Sequence, residues 1–300
     1  MEDHTLMYIN LHRKKKNEKC IFSANKVSST KLDDKVSSTK LDDKVSSTKL
    51  YDKTIDEPVV VGNKLYTYEH SGNVVVYNIL DNGWDEFIFY CPTEYETCTT
   101  DVETVSSDTI RMSKIAGYVS PYNAHQTVGT TISSYGEIYV KITKKYTNNE
   151  IEEINNEIGE IYKEYNLEEK TTEEKIKTFH DYLIKNTTYD GVFAKEGKSE
   201  HQASKANGAL LEHYAVCGGY ADAMAIFLDY INVPNLIITN DNHAWNLVYI
   251  NNKWLHIDST WNDAEIERFN YEFYLINTQE LLEIDTTQHT FDTNFFIEAK

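Results

Sequence analysis

Three side chains in the second half of the chain have the types and the order of a nucleophilic acyl-transfer site. Cys217 precedes two glycines, His243 opens the run His-Ala-Trp-Asn, and Asp258 follows His-Ile. A thiol can attack a carbonyl once a histidine has taken its proton, and a carboxylate can orient that histidine. The ordered trio therefore indicates an enzyme.

The sequence around Cys217 predicts that this residue begins a helix. Apolar residues follow it at helical spacing and form one face: Ala221, Met224, Ala225 and Leu228. A sulfur in the first turn lies beside unpaired backbone amides and the positive end of the helix dipole, which favour a thiolate. The alternative is a buried structural cysteine, which is common in proteins.

The segment around Asn251-Asn252 is predicted to form a β-hairpin that carries the other two side chains. Residues on both sides of the two asparagines alternate, and the pair makes a good two-residue turn. Pairing across the turn sets Ile250 against Lys253. In this register His243 and Asp258 lie diagonally on one face, about 7–8 Å apart between backbones, unless a bulge separates them.

Two amphipathic helices are predicted in residues 148–187, upstream of the cysteine. The first has an apolar stripe of Ile151, Ile154, Ile158, Ile161 and Tyr165. Thr171 and Glu174 have the spacing of a capping box, which starts the second helix. The predicted buried face of the second helix contains Ile176, Phe179, His180 and Leu183. We interpret His180 as a core histidine, and residues 188–208 as a loop.

The rest of the chain divides into two further predicted parts. Residues 26–52 hold three near-identical copies of Lys-Val-Ser-Ser-Thr-Lys-Leu-Asp-Asp, a unit too polar to build a core. We therefore expect residues 1–54 to form a disordered, low-complexity tail. Short apolar runs predict a β-rich accessory domain over residues 55–147, and the clearest are 74–77, 87–90 and 138–142. Residues 148–300 then form an α+β catalytic domain.

The net charge of −19 is unevenly distributed and limits the choice of partner. Residues 1–53 hold 12 basic and 8 acidic side chains, a balance of +4, so the remainder carries −23. An acidic body repels phosphate groups, which argues against a nucleic-acid partner and against a phosphorylated cofactor. We expect a protein or peptide substrate and no cofactor.

Three features of the sequence bear on the cellular location of the protein. No apolar run approaches the ~20 residues that span a bilayer, so we predict no membrane span. The first residues show no signal peptide, which favours the cytoplasm. The four cysteines match no zinc-binding pattern, and Cys91 and Cys98 are compatible with either a disulfide or two free thiols.

Several stretches together resemble the transglutaminase-like superfamily, particularly its bacterial-type cysteine proteases. They are 175–183, Tyr189-Asp190, 208–211, 216–221, 243–246 and 254–261. The resemblance covers about residues 150–263. It implies a papain-like α+β core in which a helix carrying the cysteine packs on an antiparallel sheet. It also implies Cys217 as nucleophile, His243 as general base and then acid, Asp258 as the orienting carboxylate, and no metal. A secreted or cell-surface location is compatible with the family.

The second donor of an oxyanion hole is the part that this sequence does not supply in the expected form. Papain-like enzymes often have a glutamine just before the cysteine, and transglutaminases often use a tryptophan further upstream. The backbone N–H of Cys217 can supply one donor. Candidates for the other donor or for a substrate contact are Tyr182, Tyr214 and His180, and Trp245 is predicted to form a wall of the site because it shares a strand face with His243.

The function predicted from these features is thiol-dependent hydrolysis or acyl transfer at peptide or glutamine-type amides, through a thioester. A cysteine peptidase is the favoured form. The alternatives are a protein-glutamine γ-glutamyltransferase, which cross-links proteins, and a non-catalytic binding module that retains the shell of the site.

Overall fold

The computed structural model describes residues 5–12, 21–28, 59–61, 64–66, 80–90, 98–133, 137–263 and 271–300 of the 300-residue chain. These residues form a mixture of helices and sheets. The strands are β1 Thr5–His12, β2 Ile21–Ser28, β3 Val59–Val61, β4 Lys64–Tyr66, β5 Glu86–Tyr90, β6 His125–Ile132, β7 Glu137–Lys144, β8 Thr188–Tyr189, β9 Tyr214–Ala215, β10 Asn235–Thr239, β11 Ala244–Ile250, β12 Lys253–Ile257 and β13 Tyr274–Ile276. The α-helices are α1 Cys98–Ser107, α2 Thr109–Ala116, α3 Asn148–Glu164, α4 Thr172–Asn186, α5 Gly191–Glu196, α6 Cys217–Tyr230, α7 Ser259–Asn262 and α8 Thr278–Ile284.

The strands build two larger sheets and two short ladders. A five-stranded sheet has the order β2-β1-β5-β7-β6, and a four-stranded antiparallel sheet has the order β10-β11-β12-β13. Strands β3 and β4 pair with each other, and so do β8 and β9. The four-stranded sheet carries the hairpin that the sequence predicted.

The four-stranded sheet lies between two hydrophobic clusters, because both of its faces are apolar. Successive side chains of a strand point to opposite faces. Trp245 and Leu247 accordingly join one cluster, together with residues of α2 and β7. Val248 and Ile250 join the other cluster, together with residues of α3, α4 and α6. Burial on both faces fixes the register, since a shift by one residue would exchange the two sets.

Helices α3 and α4 form where they were predicted, with three of the five stripe residues of α3 buried and with the predicted capping box at the start of α4. Thr147 caps α3, and Ile154, Ile158 and Ile161 are buried. At the start of α4 the Thr171 hydroxyl accepts the Glu174 N–H at 3.3 Å, and the Glu174 carboxylate accepts the Thr171 N–H at 2.8 Å. The predicted face of α4 is buried as expected.

Helix α6 begins at Cys217, as predicted, but it is buried on all sides and not along one stripe. Every residue from Gly219 to Leu228 is buried. One side packs on β11, and on another side Phe227 stacks on Phe179 of α4 with ring centroids 3.9 Å apart. A helix that is apolar all round requires such enclosure. The enclosed helix therefore holds the backbone of Cys217 in a fixed position.

The residues predicted as an accessory domain share a core with the four-stranded sheet. The described part of 55–147 contains helices α1 and α2 as well as strands, and Met112 and Ile115 of α2 lie in the same cluster as Trp245. The Gly117 carbonyl accepts the Ile237 N–H of β10 at 2.8 Å. Apolar side chains from both sides of residue 147 therefore close one core.

Two other expectations concern the N-terminal half. Strands β1 and β2 lie within residues 1–54, where we expected no regular structure. Runs such as 5–11 contain β-favouring residues, and pairing into a sheet gives them a partner that the sequence alone does not reveal. Most of the repeats and the predicted strand at 74–77 lie outside the described residues.

Within the part of the chain that is described, no helix combines the length and apolarity needed to cross a bilayer.

Replacement of Gly117 by alanine tests the packing of α2 on β10. A Cβ at Gly117 would overlap the backbone oxygen of Ile237, so we expect Gly117→Ala to lower the free energy of unfolding by about 1–3 kcal/mol. Gly159→Ala is the matched control, because nothing lies near a Cβ at this position in α3, and it should stabilise by ~0.5–1 kcal/mol. Denaturant unfolding of both variants measures the difference. Equal effects would show that α2 and β10 are not in close contact.

Candidate active site

Cys217 is held at the start of α6 by contacts on its N-terminal side. Val216 caps the helix, and its N–H donates to the Ala203 carbonyl at 2.9 Å. Gly219 contacts the same segment so closely that a Cβ there would overlap the Ala203 oxygen. Cys217 itself is partly exposed. A thiol in this position can meet a substrate from solvent.

His243 lies immediately before β11, in a loop fixed by one asparagine side chain. The Asn240 carboxamide oxygen accepts the backbone N–H groups of Asn242 at 2.9 Å and His243 at 2.8 Å. The Asn240 amide nitrogen in turn donates to the carbonyls of Gln288 and Thr290. The histidine and the C-terminal segment are therefore attached to the same loop.

The β11–β12 hairpin has the predicted register. Ile250 pairs with Lys253, and the ladder between these strands continues without a bulge to Asn246 and Ile257. Asn251 and Asn252 both adopt left-handed backbone angles, with φ of 53° and 60°. These angles are those of the tight turn that the two asparagines predicted.

The structure brings His243 and Asp258 into direct contact. The Nε2–H of His243 donates to Asp258 Oδ2 at 2.5 Å, and Cys217 is the other hydrogen-bonding neighbour of the ring. Asp258 is 1% exposed and caps α7: its Oδ1 accepts the N–H groups of Thr260 at 2.8 Å and Trp261 at 3.1 Å. The three side chains singled out in the sequence are thus neighbours in space.

The electrostatics of this pair favour a charged histidine. Burial lowers the pKa of His243, but the charge and hydrogen bond of Asp258, with a smaller effect of Cys217, raise it to about 10. Burial raises the pKa of Asp258, and His243 and His289 together lower it well below its ordinary value. At neutral pH the geometry therefore holds an imidazolium and a carboxylate side by side, next to a thiol.

Trp245 supports the ring of His243 and does not form an exposed wall. It is 1% exposed and stacks on His243 with ring centroids 5.6 Å apart. Its Nε1–H donates to His256 Nδ1 at 3.0 Å. We expected a substrate contact because the two residues share a strand face, but that face is covered by the core cluster.

Two of the predicted oxyanion donors, Tyr182 and His180, have other hydrogen-bond partners, and Tyr214 makes a ring contact with His201. The Tyr182 hydroxyl donates to Glu157 at 3.1 Å, and the Tyr214 ring stacks on His201. His180 is buried, as we interpreted it, and its Nε2 bonds to the Asn262 amide at 2.9 Å.

Tyr189 is the tyrosine that the structure brings to the site. Strand β8 pairs it with Ala215, two residues before Cys217. Burial first, and then the charges of Cys217 and Asp258, raise the pKa of Tyr189. Tyr189-Asp190 was among the family-like stretches, but spacing alone gave no reason to place its hydroxyl near the sulfur.

His289 is a second group that sequence reasoning missed. It comes from the C-terminal segment, is fully buried, and its Nε2 lies 2.8 Å from Asp258 Oδ2. No motif or period marks this residue, because it lies in irregular chain 31 residues after Asp258.

The ring nitrogens of His243 and His289 and the carboxylate of Asp258 also lie within 4.8 Å of one another, a grouping that could hold a metal ion. The two N···O distances are 2.5 and 2.8 Å. Ligand atoms on one tetrahedral zinc would be roughly 3.3 Å apart. The described geometry therefore fits direct hydrogen bonds better than shared coordination.

Comparison with known proteins agrees with the motifs. Residues 160–259 match the family model described as the transglutaminase-like superfamily. This match confirms the predicted resemblance of the segment to that superfamily. The matched segment contains Cys217, His243 and Asp258 and ends before His289.

Two further comparisons add little. A solved structure described as "Crystal structure of a TGase" is similar over 61% of this chain and 52% of that chain, with 15% identity and a TM-score of 0.35. The chain thus spans about half the length of that protein, and the similarity is too low to support an argument. No curated protein matches the chain.

Replacement of Asp258 tests the electrostatic coupling at the site. Asp258→Asn keeps the shape but removes the charge, so we expect the pKa of His243 to fall from about 10 to near or below 6.5, where burial dominates. NMR titration of the ring protons measures it. Asp241→Asn, at an exposed acid two residues before His243, is the control. An unchanged titration in Asp258→Asn would contradict the coupling.

The same coupling predicts a pH dependence of stability. A histidine with a raised folded pKa contributes stability that is fully present below 6.5 and is lost as the pH rises towards 10. Between these values the free energy of unfolding of the native protein should fall more steeply than that of Asp258→Asn. Parallel slopes in denaturant titrations would contradict the prediction.

Proposed function

We propose that the protein is a transglutaminase-like cysteine hydrolase that cleaves peptide or glutamine-type amides through a thioester on Cys217. The observation that carries this proposal is the buried 2.5 Å contact of His243 with Asp258, next to a partly exposed thiol at a helix start. The packing of α6 on the antiparallel sheet β10–β13 is consistent with a papain-like core.

Each side chain has a distinct role in the proposed reaction. The Cys217 thiolate adds to the amide carbonyl, and the His243 imidazolium gives its proton to the leaving amine as the C–N bond breaks. A thioester remains. His243, now neutral, takes a proton from water, the resulting hydroxide equivalent attacks the thioester, and the acid leaves while the thiolate is restored. Asp258 stays ionised and orients the ring throughout.

Exposed side chains beside Cys217 support a peptide substrate. Three large apolar side chains around the β8–β9 ladder are open to solvent. Tyr189 is 46% exposed, Val192 is 58% exposed and Tyr214 is 40% exposed. Aromatic rings that are accessible next to a nucleophile suit the side chains of an extended peptide. The ladder lies next to the start of α6, since Tyr189 pairs with Ala215, two residues before Cys217.

Alkylation of Cys217 tests whether the thiol is activated. At pH 6 an ordinary cysteine with a pKa of ~8.5 is only about 0.3% thiolate. We therefore expect His243→Ala to slow iodoacetamide labelling of Cys217 by about ten- to a hundredfold, as measured by peptide mass spectrometry. Cys20, Cys91 and Cys98 serve as internal references. Equal labelling in the two proteins would favour a non-catalytic binding module.

The acceptor of the acyl group is identified by products. The native protein and Cys217→Ala are incubated with glutamine-containing peptides and a fluorescent amine. New peptide termini that require Cys217 support the peptidase, and ammonia release without amine incorporation supports hydrolysis at the glutamine side chain. Incorporation of the amine would instead support a γ-glutamyltransferase and contradict hydrolysis.

Tyr189 is proposed as the second oxyanion donor, beside the backbone N–H of Cys217. Tyr189→Phe removes the hydroxyl alone, and loss of one such donor costs about 10²–10³ in kcat. We expect that loss with little change in KM and with normal alkylation of Cys217, because alkylation forms no oxyanion. Tyr230→Phe is the control, since this exposed tyrosine lies at the opposite end of α6 from Cys217. Full kcat in Tyr189→Phe would remove the assignment.

A further inference from the structure

The contacts of His289 extend the chain of polar groups behind Cys217. Its Nε2 lies 2.8 Å from Asp258 Oδ2, and its Nδ1 lies 2.8 Å from Asp285 Oδ2. The sequence of contacts is therefore thiol, imidazole, carboxylate, imidazole, carboxylate. The outer two members belong to residues beyond the segment that matches the transglutaminase-like family.

The two ring nitrogens of His289 each face a carboxylate. Burial raises the pKa of Asp285, but hydrogen bonds from neighbouring side chains and from the backbone, His289 among them, lower it below its ordinary value. The pKa of Asp258 is also below its ordinary value, because the effects of His243 and His289 outweigh that of burial. Both are therefore carboxylates at neutral pH, and carboxylate oxygens only accept. The two ring nitrogens of His289 thus each lie within hydrogen-bonding distance of one carboxylate.

The surroundings of His289 hold the ring in one orientation. Phe273 stacks on it with centroids 4.8 Å apart, and Trp261 meets it edge-on at 5.0 Å. The Asp285 carboxylate also accepts the backbone N–H groups of Gln288 at 2.9 Å and His289 at 3.1 Å. Together with the bonds from Asn240 to this segment, these contacts fix where the Nε2–H points.

We propose that His289 is a positioning residue of the acyl-transfer site, which holds the Asp258 carboxylate against His243 and shares its negative charge. The proposal rests on the proposed function, because it assigns His289 to that site. With His289 in place, Asp258 Oδ2 has two donors and Oδ1 has two more, so the carboxylate cannot rotate away from His243 without losing bonds. A charge shared with His289 attracts the His243 proton less strongly, which keeps His243 able to release it to a leaving amine.

The titratable groups that face His289 come from several elements. Asp258 and Asp285 meet its two nitrogens, the ring of His243 lies 5.3 Å away, and His256 interacts with it through charge. Burial and the charge of His289 lower the pKa of His256 to about 3. His256 is thus neutral, accepts from Trp245 and does not compete for Asp258.

Titration of His243 in a Cys217→Ala background tests the proposal without any substrate. Removing the thiol takes away its contribution to the pKa of His243. In this background His289→Phe keeps an aromatic ring in the pocket but removes the hydrogen-bonding nitrogens, and His289→Gln keeps an N–H near the Nε2 position. We expect the His243 midpoint to rise by about one unit in His289→Phe and by less in His289→Gln, since Asp258 then acts on His243 alone. His201→Gln is the control and should leave the midpoint unchanged.

The possible results separate the proposal from a purely structural role and from the proposed function. If His289 only fills space, His289→Phe lowers the melting temperature but leaves the His243 midpoint unchanged, and the proposal is overturned. If His289→Phe does not fold, the same comparison is made with His289→Gln. With Cys217 present, kcat should fall about tenfold in His289→Phe and be largely restored in His289→Gln. A shifted midpoint in a protein that turns over no amide would support the positioning role and contradict the proposed function.

Discussion

The ion pair of His243 with Asp258 is the interaction on which the rest of the site depends. A buried charge is costly unless it is paired and fully hydrogen-bonded. Asp258 meets this condition because two backbone amides of α7 bind one oxygen and two histidines bind the other. Each of these four donors comes from a particular turn of the chain, so the pair forms only when hairpin, helix and C-terminal segment are all in place.

The fold supplies this condition by enclosing the site from two sides. Helices α4 and α6 cover one face of the four-stranded sheet, and α2, β7 and the C-terminal residues cover the other. The family-like segment 160–259 contains Cys217, His243 and Asp258. Residues outside this segment supply the apolar cover of Trp245 and the ring of His289. Trp245 and His289 both lie next to the ring of His243.

The arrangement also separates what a substrate can reach from what it cannot. The thiol and the Tyr189 ring are accessible, whereas Asp258, Trp245 and His289 are buried. A low-dielectric interior strengthens the interactions among the buried groups, and exposure of the sulfur leaves it free to react. The groups that orient His243 are therefore buried, whereas the groups that a substrate can meet are exposed.

Local chemistry explains which features the sequence could determine. The capping box at Thr171, the apolar stripe of α3, the helix start at Cys217 and the asparagine turn each depend on residues within a few positions of one another. The hairpin register followed from the turn, and with it the approach of His243 to Asp258. Local rules were sufficient in these cases because the interacting groups are near neighbours in the chain.

Only the tertiary structure decided the contacts between distant segments. Trp245 faces the core and not the substrate because residues of α2, β7 and the C-terminal segment cover its side of the sheet. Tyr189 is placed near Cys217 by a two-residue parallel ladder, and His289 reaches Asp258 from irregular chain held by Asn240 and Asp285. Neither contact leaves a periodic pattern, because a single side chain placed by long-range packing has no repeat to detect. The sequence thus specified Cys217, His243 and Asp258 as the candidate reacting groups, and the folded chain decided which side chains surround them.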